Sequence, residues 1–151
     1  MNDDRYFLAI AQEKALESSC LSKKVGAVVV VKGKILASGH NEISKGQMSC
    51  GEGGCNRCIM RARGKIPSGA MRSDCICVHA EINAINSLTD LPIEAAAMYI
   101  SIPPCEECAR AIHKAGFSRV AYPKPSHDGR GIAYLKQHHI TLVSLDNQNS
   151  C

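Results

Sequence analysis

Nine of the 151 residues are cysteine: Cys20, Cys50, Cys55, Cys58, Cys75, Cys77, Cys105, Cys108 and Cys151. No other feature of the chain restricts its fold as much. An odd number cannot pair off completely within one chain, and seven of the nine fall in tight clusters. The N-terminus opens Met-Asn-Asp-Asp, with no basic region leading into an apolar stretch, so no secretory leader is expected. Disulfide frameworks belong to oxidising compartments. Metal ligation is therefore the stronger expectation for these thiols.

The rest of the chain reads as one globular domain over residues 1–151. Hydrophobic residues make up 45% and charged residues 21%, enough to bury a core and far from a disordered composition. Aromatics are only 4%, with no Trp, so the core is expected to be aliphatic. The longest apolar run, Val25 to Val31, is about a third of the roughly 20 residues a membrane span needs. The chain is read as soluble and cytoplasmic. A net charge of +4 suits an anionic small molecule and is too small to argue for nucleic acid.

Periodicity sets the element order. Residues 3–19 carry Tyr6, Phe7, Ile10, Ala11, Ala15 and Leu16 at helical spacing, with Asn2 or Asp3 as the expected cap. The β-branched run from Val25 to Val31 suits a strand buried on both faces. Lys32-Gly33-Lys34 is a turn, and residues 35–38 form its hairpin partner. Periodicity is then lost from Gly39 to about Ile76, a Gly- and Cys-rich insert that needs stapling. Beyond it come a helix over 78–88 with Ile82, Ile85 and Leu88 on one side, a strand over 96–102 and a helix over 104–115. A strand over 117–122, a helix over 129–138 and a strand over 140–145 complete the order, before a polar tail. The later βαβ units call for parallel strands. The predicted fold is α/β, a three-layer α/β/α arrangement around a mixed five-stranded sheet.

Two segments carry the chemistry. His79-Ala80-Glu81 opens one helix, and Pro104-Cys105-Glu106-Glu107-Cys108 opens another. Cysteines three apart share a helix face, and a helix N-terminus favours thiolates. With His79 as a third ligand, Cys105 and Cys108 leave a fourth tetrahedral position for water, the mark of a catalytic zinc. Glu81 lies beside the metal without being a ligand, placed to act as general acid and base. Taken singly, a Cys-x-x-Cys can be a redox pair, a His can be structural and a Glu can serve only the helix dipole. Together, in this order and at helix starts, they point to one metal site.

The pair His-x-Glu and Pro-Cys-x-x-Cys is the signature of the zinc nucleobase deaminases. The chain resembles the cytidine deaminase-like family over nearly its whole length, and within it is most similar to deoxycytidylate (dCMP) deaminases. That likeness rests on Ser18-Ser19-Cys20 leading into Val25-Gly26-Ala27-Val28, on Ala37-Ser38-Gly39-His40-Asn41, on Cys75 to Ala84, and on Gly116 to Tyr122. The resemblance implies zinc-dependent hydrolytic deamination of dCMP to dUMP. It implies Asn41 at the sugar, Ala80 in the substrate site, and Ser22, Lys23 and Lys24 at the phosphate, where Lys suits an anion as a point charge. It further implies a homo-oligomer, often a hexamer, with dCTP and Mg2+ activating and dTTP inhibiting. Two positions depart from the family pattern. Glu42 replaces a usual Gly, so its carboxylate is expected to point away from an anionic nucleotide or to hold a metal. His127-Asp128 stand where an aromatic is usual.

Cys50, Cys55, Cys58, Cys75 and Cys77 place five thiols in the insert, one more than a closed structural zinc needs. The preferred ligands are Cys50, Cys55, Cys58 and Cys75, with Cys77 as the substitute for any of them. The competing reading is free thiols buried as small hydrophobes, or one disulfide. The resemblance agrees with the metal, since some dCMP deaminases carry a second zinc here. Cys20 is expected to pack under the first strand, Cys151 to be free, and His138 and His139 not to be ligands. Arg61, Arg63, Lys65 and Arg72 make the insert basic, either for nucleotide phosphates or as a solvated face. Two further functions fit the same residues. The same chemistry on another substrate (dCTP, cytosine, guanine or tRNA adenosine) is one, although a polynucleotide editor wants a larger basic surface with stacking aromatics. A non-catalytic zinc-binding module is the other, against which Glu81 argues.

Overall fold

Val25 to Val31 behaves as its composition demands. In the computed structural model, which describes residues 4–90, 93–124 and 129–146, it contains strand β1 (Gly26–Val31), buried along nearly its whole length. Lys32 and Gly33 both have positive φ, 49° and 77°, the conformation of a two-residue hairpin turn. Strand β2 (Lys34–His40) returns antiparallel, with a bulge opposite Val29 and Val30. The other strands are β3 (Ala96–Ile100), β4 (Arg119–Lys124) and β5 (Thr141–Asp146). The sheet order is β2-β1-β3-β4-β5. β1 and β3 are antiparallel, whereas β3, β4 and β5 run parallel. The expected mixed five-stranded sheet is therefore present.

The helices are α1 (Asp4–Ala15), α2 (Asn56–Ala62), α3 (Ala80–Asn86), α4 (Glu106–Lys114) and α5 (Arg130–Gln137). One sheet face packs on α1 through Phe7, Leu8 and Ala11 against Val28, Val30, Ala97, Tyr99 and Ala121. The other packs on α3, α4 and α5, with Val29, Met98, Ile100 and Val120 meeting Ala84, Ile112, Ile132 and Leu135. Each fully buried Val, Ile, Leu or Met contributes about 1.5–3 kcal/mol. Gly26 and Gly39 let the layers close. A Cβ on Gly26 would lie 2.0 Å from the Ala11 carbonyl oxygen, and one on Gly39 would lie 2.5 Å from that of Ala80.

Several boundaries differ from the periodic reading. Helix α1 stops at Ala15, and Tyr6 and Leu16 are exposed at 59% and 75%. The buried stripe is Phe7, Leu8, Ala11 and Ala15, so the apolar residues at 6 and 16 lie off the packed face. Ile82 is only half-buried, because α3 buries Ala80, Glu81, Ala84 and Ile85. The insert is not structureless: it contains α2 and a 3-10 turn, Arg72–Asp74. Helix α2 buries Arg57 and Cys58, so no apolar stripe announces it. The proposed caps Asn2 and Asp3, the His127-Asp128 pair and Cys151 lie outside the described residues. Among those described, no helix is long and apolar enough to cross a membrane.

Candidate metal centre and active site

Helices α3 and α4 begin side by side, and each is preceded by a candidate ligand. His79 precedes α3 in an extended conformation. A two-way backbone bridge pins it from behind: Glu42 N–H donates to the Val78 carbonyl at 3.1 Å and Val78 N–H to the Glu42 carbonyl at 2.8 Å. Asn83 adds a side-chain bond to the His40 carbonyl at 2.8 Å. Cys105 precedes α4, and its sulfur accepts from the Cys108 N–H at 3.5 Å. The Cys-x-x-Cys spacing thus becomes a helix cap in which sulfur replaces the usual oxygen. Gly131 at the start of α5 seals this corner, because a Cβ there would lie 2.0 Å from the Pro104 carbonyl oxygen.

His79 Nδ1 lies 3.2 Å from Cys108 Sγ and 3.5 Å from Cys105 Sγ. Nitrogen and sulfur on one tetrahedral zinc, at ordinary bond lengths, are about 3.6 Å apart. The trio fits that ion. Cys108 is buried, Cys105 half-buried and His79 exposed, so one side is open to a small molecule. Cys105 is held down to about 4 by donation from the Cys108 thiol, reinforced by His79. Cys108, the donor, is raised correspondingly. The Cys105 sulfur also raises His79 above its ordinary value, against a partial desolvation of the ring. A lowered thiol at this position favours capture of a thiophilic ion.

Glu81 is 3% exposed. Its side chain hydrogen-bonds to Cys108, and burial raises its pKa above the ordinary carboxylate value. A buried carboxyl with a raised pKa beside a metal position is suited to taking up and returning a proton.

The remaining site residues are distributed as follows. Asn41 is buried: its Oδ1 accepts from Val25 N–H at 2.8 Å and its Nδ2 donates to the Lys23 carbonyl at 2.7 Å. It clamps the segment before β1, and each amide atom keeps one further hydrogen-bonding position. Ser22 accepts from Arg57 Nη1 at 3.0 Å. Lys23 and Lys24 are exposed beside it, and Ala80 is fully buried at the start of α3. Glu42 turns toward Ser19, accepting from its N–H at 3.0 Å and its hydroxyl at 2.7 Å. Burial pushes the Glu42 carboxyl up, but hydrogen bonds from Ser19 and from the Ile43 and Cys50 backbone together more than offset it and leave the group below its ordinary value. Of the two expectations for Glu42, the structure shows it engaged by Ser19. Arg61 is half-buried, and Arg63, Lys65 and Arg72 are exposed.

The insert thiols are arranged differently from the expectation. The preferred quartet Cys50, Cys55, Cys58 and Cys75 is split. Cys50 groups with Cys20, Cys58 and Cys77, while Cys55 and Cys75 group with Cys58 and Cys77. Cys20 belongs to this cluster, 3.7 Å from Cys58, and is not a spare thiol under β1. Sequence spacing missed it because Cys20 precedes the insert and the fold brings it back. His138 instead bonds the Tyr134 carbonyl at 2.8 Å. The metal-capable groups found among the described residues include neither His138 nor His139.

A three-layer α/β/α fold with an imidazole, two thiols and a buried glutamate at two helix starts defines a zinc deaminase-type site. Residues 1–124 match the family described as the cytidine and deoxycytidylate deaminase zinc-binding region. The chain belongs to that family. It is 38% identical to the deoxycytidylate deaminase of Mycobacterium phage D29 over 129 residues, 82% of this chain and 95% of the relative. It is 32% identical to the deoxycytidylate deaminase of Saccharomyces cerevisiae over 143 residues, 92% of this chain and 43% of that longer protein. The dCMP deaminase of cyanophage S-TIM5, solved in complex with dCMP and dUMP, superposes with a TM-score of 0.74 at 25% identity. The likeness covers 96% of this chain and 99% of that one.

Proposed function

We propose that this protein is a zinc-dependent hydrolase that deaminates dCMP to dUMP. The observation that carries the reading is the open trio of His79 Nδ1, Cys105 Sγ and Cys108 Sγ with Glu81 buried beside it. The named activity of the relatives, and the substrate and product bound in the cyanophage enzyme, support the choice of nucleotide.

His79, Cys105 and Cys108 would hold zinc, which would supply a water nucleophile activated near neutral pH. Glu81 would take a proton from the water as its oxygen bonds to the amine-bearing ring carbon, and would pass protons to the ring nitrogen and then to the amine, so that the carbon–nitrogen bond breaks and ammonia leaves. Asn41 offers its remaining amide positions to the sugar, and Ala80 contributes its backbone at the start of α3. Ser22, Lys23 and Lys24 receive the phosphate: the Ser22 hydroxyl keeps its hydrogen to donate, and the lysines are exposed beside it. The insert is held by thiolate-bound zinc of the closed, structural kind. The protein works in the cytoplasm as a homo-oligomer, a hexamer by analogy. dCTP with Mg2+ activates it and dTTP inhibits it, with Arg61, Arg63, Lys65 and Arg72 available to their phosphates.

Ammonia release across dCMP, dCTP, cytidine, cytosine, guanine and adenosine in tRNA tests the reading. The highest kcat/KM is expected for dCMP. A higher value on any other member of the panel overturns the substrate assignment, and no release from any member overturns the enzyme assignment.

A further inference from the structure

Cys20, Cys50, Cys55, Cys58, Cys75 and Cys77 line one pocket beneath the insert. Their sulfurs form two groups of four, each with all sulfurs within 4.8 Å of one another, and the two groups share Cys58 and Cys77. We propose that the pocket holds two zinc ions bridged by the Cys58 and Cys77 thiolates, a Zn2Cys6 centre. Cys20 and Cys50 complete the coordination of one ion, and Cys55 and Cys75 that of the other.

Counting supports two ions. Two four-coordinate ions require eight metal–sulfur bonds, which four terminal and two bridging thiolates supply. One ion would use four sulfurs and leave two thiols in the same pocket without a metal. The distances agree. Cys20 and Cys58 are 3.7 Å apart, Cys58 and Cys75 3.8 Å, and Cys55 and Cys75 3.9 Å. Two sulfurs on one tetrahedral zinc are about 3.8 Å apart, whereas a disulfide brings them to about 2.05 Å. Each of these pairs falls within one of the two groups.

Backbone N–H groups are directed at several of the sulfurs. Leu21 N–H donates to Cys50 Sγ at 3.4 Å. Backbone N–H groups of Ser22 and Lys23 bond to Cys20, and that of Ile76 bonds to Cys55. Such donors orient and stabilise metal-bound sulfur. Charge gives a separate argument. Two dications and six thiolates carry a net charge of −2. Arg57, only 8% exposed, lies between Cys55 and Cys58 in the chain. Its guanidinium bonds Ser22 Oγ and the Ala70 carbonyl, both neutral. Among the described residues no carboxylate forms an ion pair with it. A buried cation needs a counter-charge, and a dianionic cluster on its chain neighbours Cys55 and Cys58 would supply one.

The buried cluster of this region contains the cysteines and a single aliphatic side chain, Ile43. Metal–thiolate bonds therefore take the place of an apolar core, as in small metal-stapled domains. The centre joins the segment between α1 and β1, which carries Cys20, to Cys77, two residues before His79. Its role is to hold the segment that presents His79.

This inference rests on the structural-zinc reading and goes further by fixing the count and the bridge. The test is zinc content per chain, measured on the full protein and on a Cys105→Ser/Cys108→Ser double variant that removes the catalytic site. Three ions are expected in the native protein and two in the variant. Two and one mean a single ion in the pocket, which overturns the bridged centre and leaves the structural zinc standing; one and none overturn both. The bridge is read separately by replacing zinc with 113Cd in the native protein. Three cadmium resonances are expected: two from the all-thiolate ions, each split by the other through the shared sulfurs, and one unsplit from the site of His79, Cys105 and Cys108; all-thiolate signals without splitting overturn the bridge. Neither readout depends on turnover. If the double variant fails to fold, the native count and spectrum still decide.

Discussion

The chain uses Cys-x-x-Cys twice, in the same position relative to a helix. Cys55 immediately precedes α2 and Cys58 is its third residue; Cys105 immediately precedes α4 and Cys108 is its third residue. The pairs then part company. Cys105 and Cys108 are joined by one imidazole, face an exposed histidine and have a buried glutamate alongside. Cys55 and Cys58 are joined by thiols alone, in a pocket where both are at most 1% exposed. The spacing sets the geometry of a pair. The third and fourth groups that the fold delivers decide whether the site is open for chemistry or closed for support.

The strongest test of that contrast is Cys58→Ser. It removes a sulfur that both groups of the pocket share, so the insert should lose its folded structure, at more than about 4 kcal/mol. Activity should fall with it, because Cys77 leads into His79. Thermal unfolding and turnover read the two losses. A variant of wild-type stability breaks the comparison by showing that the pocket supports nothing.

Glu81→Gln should do the opposite. Turnover should drop by about 10²–10⁴-fold, with zinc content and melting temperature unchanged. Surviving turnover removes Glu81 from the proton transfers. Between these extremes lies Gly39→Ala, which pushes a methyl against the backbone of α3. It should cost about 1–3 kcal/mol. It should also lower kcat without changing metal content, since a small displacement of α3 misplaces Glu81.

A region remote from both sites sharpens the contrast. Arg119 bonds both carboxylate oxygens of Asp4 at 2.6 Å, and the Tyr99 hydroxyl donates to Asp4 at 2.7 Å. Arg119→Ala should cost about 1–3 kcal/mol and leave kcat and metal content alone. Donation from Arg119 holds the Asp4 carboxyl below its ordinary value of 3.8. A carboxyl lowered by folding stabilises fully above its unfolded value and loses that contribution as pH falls through the folded one. The deficit of the variant, measured by denaturant melts, should therefore be constant near neutral pH and shrink only below about 3.8. The smallest effect is expected of Lys24→Ala. KM for dCMP should rise by roughly two- to fivefold with kcat unchanged, as for an exposed charge contact worth up to about 1 kcal/mol.

Much of this was legible in the chain. The β-branched run could only be a buried strand, the Lys-Gly turn announced its hairpin, and the ligand types at two helix starts announced a metal site. What was not legible involved contacts between distant segments. Helix α2 hid because its inner side is Arg57 and Cys58, which no hydrophobic pattern scores. The family resemblance points Asn41 at the sugar, while in the fold its amide clamps Lys23 and Val25. Asp4 and Arg119 meet across most of the chain with no local signal.

The sequence by itself therefore determined the layer architecture and the chemistry of the first site. Side-chain periodicity and ligand softness are local properties that survive without coordinates. Only the tertiary structure decided how the other six described cysteines divide. It drew Cys20 out of the segment before β1 and into the insert, and it placed Cys58 and Cys77 in both groups. Which thiols share one coordination sphere depends on distances of a few ångströms between segments far apart in the chain, and spacing along the sequence does not encode those distances.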